Sequence, residues 1–595
     1  MKMNRLALLL LVLLTMLSIL NCGSPEQRKM RFYNKGKALY EKGDYVKANL
    51  EFKNAVQVDP KFADAYYMLG LVEIQKKNFN HAYGNFLKTL ELDPNHLNAH
   101  IQLGKFFLSE NKPDNASEKA ELVLKADPKN EEALLLKGAV FLARKDNNGA
   151  QQFLEGLIAQ GIRRPDVYLM LASANGRKYD IKGAETVLRQ GIEANPKAVM
   201  LNLALVELYV VSKRVDDAIS VMQRVIELEP NNVLHKLTLA GLYWGSGKEQ
   251  KANDLLKALV SSDPKNEDNW VQEAGFYIAR NRFEDAEREL KEGIKQNDKS
   301  FKLRFALSNL YLSLKRIDNA VVVLKECLSL DKDQAKPEII QAKIALANIY
   351  LARKELEEAK KYAEEVLKES PYNIEARFIN GGVHLLKGEA LNAVSEFRTV
   401  VNESPQFING YLFLAEAHIL NKEPNLAIDT LKNALKINPA WSIDIMTALG
   451  RTYIRQKDYA QAIDIYGKLI EKEPRLWMVA NDLAFLLSEY GKTKSDLDRA
   501  FKLAQEIQKQ RPDNPAVLDT LGWVYYKKGE ANLALDFIRR AQAKTPESPV
   551  INYHIGMVLY KLGKFEEAKA KLKKSIETKE DFPGKDEARK TLEKM

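Results

Sequence analysis

Apolar residues along this chain recur three and four positions apart, the spacing of one helix face. They come in two stripes separated by a short polar turn, and the pair of stripes then recurs. The stretch "YYMLGLVEIQKKNFNHAYGNFLKTLELDP", ending at Pro94, and the stretch "DTLGWVYYKKGEANLALDFIRRAQAKTP", residues 519–546, share one order: Leu-Gly, apolar stripe, polar turn, isolated alanine, second apolar stripe, proline. Pro60, Pro94 and Pro128 stand 34 residues apart, as do Pro196, Pro230 and Pro264. The phase runs on through Asp298 and Lys332, where the proline is lost, and resumes at Pro371, Pro405 and Pro439; later copies close at Pro474, Pro512 and Pro546. About sixteen helix–turn–helix copies therefore tile the chain from roughly residue 29 to 580. No alternating apolar/polar run of convincing length appears, so almost no strand is expected.

Each recurring residue type has a physical task. In the first copy the pattern falls on Phe32, Gly36, Ala48, Phe52, Ala55 and Pro60, and in the fifteenth on Leu521, Gly522, Tyr525, Ala534, Ile538, Ala541 and Pro546. The small residues let two helices approach closely, and the large ones fill the space between neighbours. Proline ends the second helix because it has no N–H to donate and clashes with the preceding turn. This pattern resembles the tetratricopeptide repeat over nearly everything after the first 28 residues. The resemblance implies an all-α fold, a right-handed α-solenoid superhelix of about sixteen repeats, with the first helix of each copy lining the concave side. One hairpin cannot bury its apolar face alone, so the copies must stack.

Phase breaks divide the array. "DKDQAKPEII" adds residues between the ninth and tenth copies, and "SEYGKTKSDLDRA" lengthens the turn inside the fourteenth. The reading is an N-terminal array over 29–332, an insertion at 333–339 that could act as a hinge, a C-terminal array over 340–582, and a polar helix over 583–595 capping the last repeat's apolar side.

The start is of another kind. "MKMNRLALLLLVLLTMLSILNCGSPEQ" carries Lys2 and Arg5, an apolar run from Leu6 to Leu20, and then Cys22. Fifteen residues of helix span about 22 Å, short of a roughly 30 Å bilayer core, which favours an export signal over a spanning helix. A cysteine directly after the run resembles a bacterial lipoprotein signal, with Asn21 in place of the usual small residue. The resemblance implies a signal peptide over 1–21, lipidation of Cys22 and a tether over 22–28. Gly23, not aspartate, follows the cysteine, which in that family favours the outer membrane facing the periplasm.

Composition narrows the chemistry further. The chain is 46% hydrophobic and 29% charged, with a formal net charge of +10. Lysine and arginine interleave with acids, as in "RFEDAERELKEGIK", so solvated helix faces are expected and no nucleic-acid stripe. The second cysteine, Cys327, falls on a small buried slot and reads as packing, not as a nucleophile. There is no HExxH, GxSxG, phosphate-binding glycine loop or cysteine pair among the 595 residues. His96 and His100 have ligand spacing, yet His100 occupies a packing slot that other copies give to an aromatic. No catalytic residue, metal or cofactor is therefore assigned.

What remains is a binding surface. Inward positions of the middle copies are apolar or small, among them Leu237, Trp244, Phe305, Ile344 and Phe378; they either hold a ligand or pack on one another. Asn309 and Asn348 share one inward slot, where amides could bond an extended peptide. The last two copies place Asp519, Trp523, Tyr526, Tyr553, His554, Met557 and Tyr560 inward, either as a recognition patch or as packing between the last helices. The expectation is a non-catalytic envelope scaffold for protein or peptide partners, attached to the membrane by its N-terminal lipid, with polysaccharide left open as a ligand. Its generic repeat residues resemble those of lipoproteins associated with exopolysaccharide export and exosortase-type surface sorting; the alternative is a pilotin-like assembly factor for pili or outer-membrane proteins.

Overall fold

The computed structural model describes residues 24–579 and 581–595. Thirty-three α-helices and no strand occur among the described residues. From Pro25 to Ile576 thirty-two of them follow one another, two to a repeat copy, and the hairpins are numbered by copy; the helix Lys585–Glu593 follows the last. The signal at 1–21 and Cys22 lie outside the described residues.

The chain divides into two compact units, 1–281 and 282–595. The first holds seven hairpins and the helix Glu267–Ile278; the second begins with Phe283–Gln296, then carries eight hairpins and the terminal helix. The segment 333–339, expected as an insertion, holds the turn at Asp333–Lys336 and the start of the helix Pro337–Ala352, inside the second unit.

Local chemistry sets the helix ends. The first helix of many copies opens on a side-chain cap: Asn130 to the Ala133 N–H, Ser300 to Leu303, Asn373 to Ala376, Ser548 to Ile551. Each such cap satisfies an N–H that the helix leaves open and contributes about 1 kcal/mol. Between the two helices of a hairpin the backbone passes through the left-handed region. Glycine meets this at Gly388 and Gly529, but Lys77, Lys213, Lys354 and Lys457 hold φ near +60° as well.

Packing within a hairpin follows one rule. A small residue on the first helix faces a large one sixteen positions later on the second: Gly36 with Phe52, Gly381 with Phe397, Gly450 with Tyr466, Gly522 with Ile538. Phe52, Phe397, Tyr466 and Ile538 are fully buried. The middle inward positions are half-buried and pack on this core. Phe305, Leu312, Ile344 and Leu351 lie against one cluster, and Phe378 meets Phe397, Phe407 and Phe413 edge-on at 5.1–5.5 Å.

A candidate ligand groove in the C-terminal unit

The helices Ser442–Arg455, Trp477–Tyr490, Pro515–Lys528 and Pro549–Lys561 open the thirteenth to sixteenth hairpins. Together they border a cavity of about 390 Å³, lined by Ile454, Tyr459, Phe485, Tyr490, Val550 and Pro583 on its apolar side and by Asn481, Asp482, Asp519, Thr520 and His554 on its polar side. A larger hollow of about 520 Å³ is lined by Lys291, Leu307, Tyr311 and Val322. There Lys291 and Tyr311 both already bond Glu287.

His554 is the most enclosed polar group of the groove, 1% exposed. Its Nδ1 lies 2.9 Å from both carboxylate oxygens of Asp519. A carboxylate only accepts, so Nδ1 carries a proton, and in the neutral form of the ring Nε2 offers a lone pair. That Nε2 has no partner in the protein. The ring is held by stacking on Trp523, centroids 4.0 Å apart, with Phe485 at 5.9 Å. Trp523 is fixed in turn, its Nε1 donating to Glu489 at 2.8 Å, and Lys527 pairs with the same carboxylate oxygen.

Beside this pair stand Asn481 and Asp482. Asn481 is 8% exposed, and its Oδ1 is also without a partner. Asp482 keeps an open face toward the groove, yet the walls crowd it. That desolvation pushes its carboxyl up to about 6, with Arg451 pulling the other way. Tyr459 and Tyr490 stack almost parallel, centroids 3.6 Å apart, to close one side.

The structure separates the residues that the sequence pattern grouped. Trp523, Tyr553 and Met557 are not an exposed patch. They form a core cluster with Leu572 and Ala588, flanked by Phe582, Leu592 and Met595. The cause is the terminal helix: it lies over these rings, and the Tyr553 hydroxyl donates to Glu587 at 2.6 Å. Tyr526 and Tyr560 are half-buried at the edge, Tyr526 stacked on Trp523 and Tyr560 edge-on to Phe565. Asp519 and His554 are buried but face the cavity. Asn309 and Asn348 are exposed on the ninth and tenth hairpins, apart from this groove.

Asn481, Asp482, Phe485, Tyr459 and Tyr490 were missed in the sequence. The signal for Asn481 and Asp482 was the adjacent polar pair inside the apolar run "WMVANDLAFLL", in the copy whose turn is lengthened; Tyr459, in the preceding copy, and Tyr490 gave none. Among the described residues no group of three or more His, Cys, Asp or Glu is placed to hold a metal. His96 accepts from the Ala99 N–H at 3.1 Å, and His100 Nε2 meets the Pro94 carbonyl at 2.8 Å. No helix among the described residues is long and apolar enough to cross a membrane.

Comparisons with known proteins agree with the repeat architecture. Profiles described as tetratricopeptide repeat match residues 63–96, 301–334, 340–373 and 550–582, and others of that description match 169–233, 243–304 and 420–480; a TPR repeat profile matches 36–76. The chain therefore carries tetratricopeptide repeats, and its fold is an α-solenoid built from them. TPR repeat-containing protein PA4667 of Pseudomonas aeruginosa is 31% identical over 91 residues, 15% of this chain and 14% of that protein. Tetratricopeptide repeat protein 21A of Mus musculus is 31% identical over 87 residues, 15% of this chain and 6% of that protein. Among solved structures, that of Naa15/Naa10 bound to HypK-THB aligns over 96% of this chain and 95% of that chain, at 15% identity and a TM-score of 0.42. Yeast Tom70 aligns over 78% and 99%, at 16% identity and a TM-score of 0.36.

Proposed function

We propose that this chain is a non-catalytic scaffold that binds partner polypeptides through the groove of its last four hairpins, while a lipid on Cys22 holds it at the bacterial cell envelope, at the outer membrane facing the periplasm. The observation that carries the binding reading is the groove wall: His554 Nε2 and Asn481 Oδ1 are buried acceptors without partners, both lining one cavity. A solenoid needs no such groups to stack its hairpins, and each costs about 1–3 kcal/mol while unbonded. The anchor reading rests on the basic start, the apolar run and Cys22. The service to exopolysaccharide export or surface-protein sorting rests on the resemblance of the repeats and signal.

The experiment is photo-crosslinking in intact cells from a benzophenone side chain at Phe485, followed by purification from detergent-solubilised envelopes. Polypeptides captured from Phe485 and not from an equivalent probe at Val322 support the reading; equal recovery from both positions overturns it. Captured pilins or outer-membrane proteins would move the pathway to assembly of those structures. Fatty-acid labelling of wild type and Cys22→Ala tests the anchor, and equal label in both refutes it.

A further inference from the structure

The chemistry of the groove wall specifies what it can receive. The buried polar atoms that it leaves without a partner are acceptors, the amide oxygen of Asn481 and the Nε2 lone pair of the neutral His554 ring, and the carboxylate of Asp482 stands beside them. Two carboxylates and no lysine or arginine line the cavity. Asp519 is engaged by the His554 Nδ1–H, and Arg451, the cation acting on Asp482 from the preceding hairpin, forms no ion pair with it among the described residues. A sugar hydroxyl or a peptide unit brings acceptors of its own, which would meet acceptors here. A guanidinium or an ammonium brings donors only. The remaining walls suit such a group as well: the stacked rings of Tyr459 and Tyr490 and the face of Phe485 offer aromatic surface to a cation, and Ile454, Leu486 and Val550 receive an alkyl stem.

We infer that this cavity is a specificity pocket for a basic side chain, arginine or lysine, of a bound polypeptide, with His554, Asn481 and Asp482 as its acceptors and Asp519 as the residue that fixes the histidine tautomer. The inference rests on the scaffold reading and deepens it. His554 is oriented before anything binds, by Asp519 and by the Trp523 stack, so the side chain meets a ring that need not rearrange.

The test uses the full chain with isotopically labelled histidine, the His554 ring nitrogens being assigned by their loss in His554→Gln. Four probes are titrated at neutral pH: acetyl-Ala-Arg-Ala-amide, the lysine and citrulline counterparts, and maltotriose. The expected result is a saturable shift of the Nε2 resonance with the arginine or lysine peptide. Citrulline, which keeps the shape and loses the charge, should bind about 10-fold or more weakly, and Asp482→Asn should weaken the cationic peptide by about 10- to 100-fold without lowering the melting temperature. The arginine and lysine arms show which cation is preferred. Equal binding of citrulline and arginine, no shift with either cation, or a shift with maltotriose alone overturns the inference. If the Phe485 probe still captures polypeptides and Asp482→Asn leaves that capture unchanged, the pocket assignment fails while the scaffold stands; if it captures none, the scaffold itself fails.

Discussion

Replacing Gly450 by alanine puts a methyl group where the ring of Tyr466 already lies. The new Cβ would stand 2.0 Å from Cε1 and 2.5 Å from Cδ1 and Cζ, against a comfortable carbon–carbon separation of about 3.5–4.0 Å. Tyr466 is fully buried and cannot swing into solvent, so the two helices must separate or the ring must leave its rotamer. Such overpacking costs about 1–3 kcal/mol, and the better helix propensity of alanine offsets about 1 kcal/mol of it. A net loss of up to about 2 kcal/mol is expected for Gly450→Ala. Gly156→Ala is the control: nothing lies within 4 Å of its would-be Cβ, so the propensity gain of about 0.5–1 kcal/mol should appear undiminished. Tyr466→Ala alone leaves a cavity and costs about 3–5 kcal/mol. In the double variant the clash is gone, so the cycle should show a coupling of about 1–3 kcal/mol. Because a repeat array does not unfold as one two-state unit, hydrogen exchange within Ser442–Arg455 and Tyr459–Lys472 is the proper readout, with distant hairpins as internal reference. Additive single effects, or a Gly450→Ala protein as stable as Gly156→Ala, would refute the close-approach argument.

Three further outcomes are expected. Lys354 holds φ of 61° at an exposed turn, so Lys354→Gly should raise local stability by about 0.5–1 kcal/mol, seen as slower exchange in the tenth hairpin. Glu185 accepts from the Tyr209 hydroxyl at 2.6 Å and also binds Arg214 and Arg189, which lowers its carboxyl to about 2; its stabilisation is full above the ordinary carboxylate range and lost as pH falls toward 2, so Glu185→Gln should cost about 1–2 kcal/mol at pH 7 and nothing near pH 2. Burial pushes the Cys327 thiol up to about 11, so it should resist iodoacetamide at pH 8 in the folded chain and react once denatured; rapid native labelling would show the site to be open.

The repeat was legible because its signal is redundant: the same small and large residues recur sixteen positions apart, and the loss of any one proline leaves the phase intact. The terminal helix was legible too, but its consequence was not. A polar segment announces that it will cover something, yet nothing in "GKDEARKTLEKM" says that Glu587 will reach the Tyr553 hydroxyl and close a ring cluster. Inward-facing aromatics look the same in a pattern whether they meet a ligand or the next helix. The groove was half legible: Asp519 and His554 stand out as departures from the aliphatic rule, whereas Asn481 and Asp482, which fall on the same slots after Pro474 as Asp519 and Thr520 after Pro512, read as one more polar pair on a repeat helix, so their approach to the same cavity is a tertiary fact.

A solenoid of near-identical hairpins offers the same stacking surface at every step, so recognition must reside in departures from the repeat that stacking does not require. Unpartnered buried acceptors occur elsewhere, at Asn175 and Asn380 for instance, but on helices of other hairpins. At the C-terminal groove two of them converge on one hollow, beside a carboxylate whose charge the walls disfavour. Each group destabilises the free protein, and a ligand that donates to it recovers that loss on binding. Filling the wall with apolar side chains should therefore strengthen the fold and abolish selectivity, whereas loosening the terminal helix should free the Trp523 stack and blunt the histidine that the stack holds in place. The free energy that this end of the solenoid forgoes when empty is the part of its affinity that the hairpins themselves cannot supply.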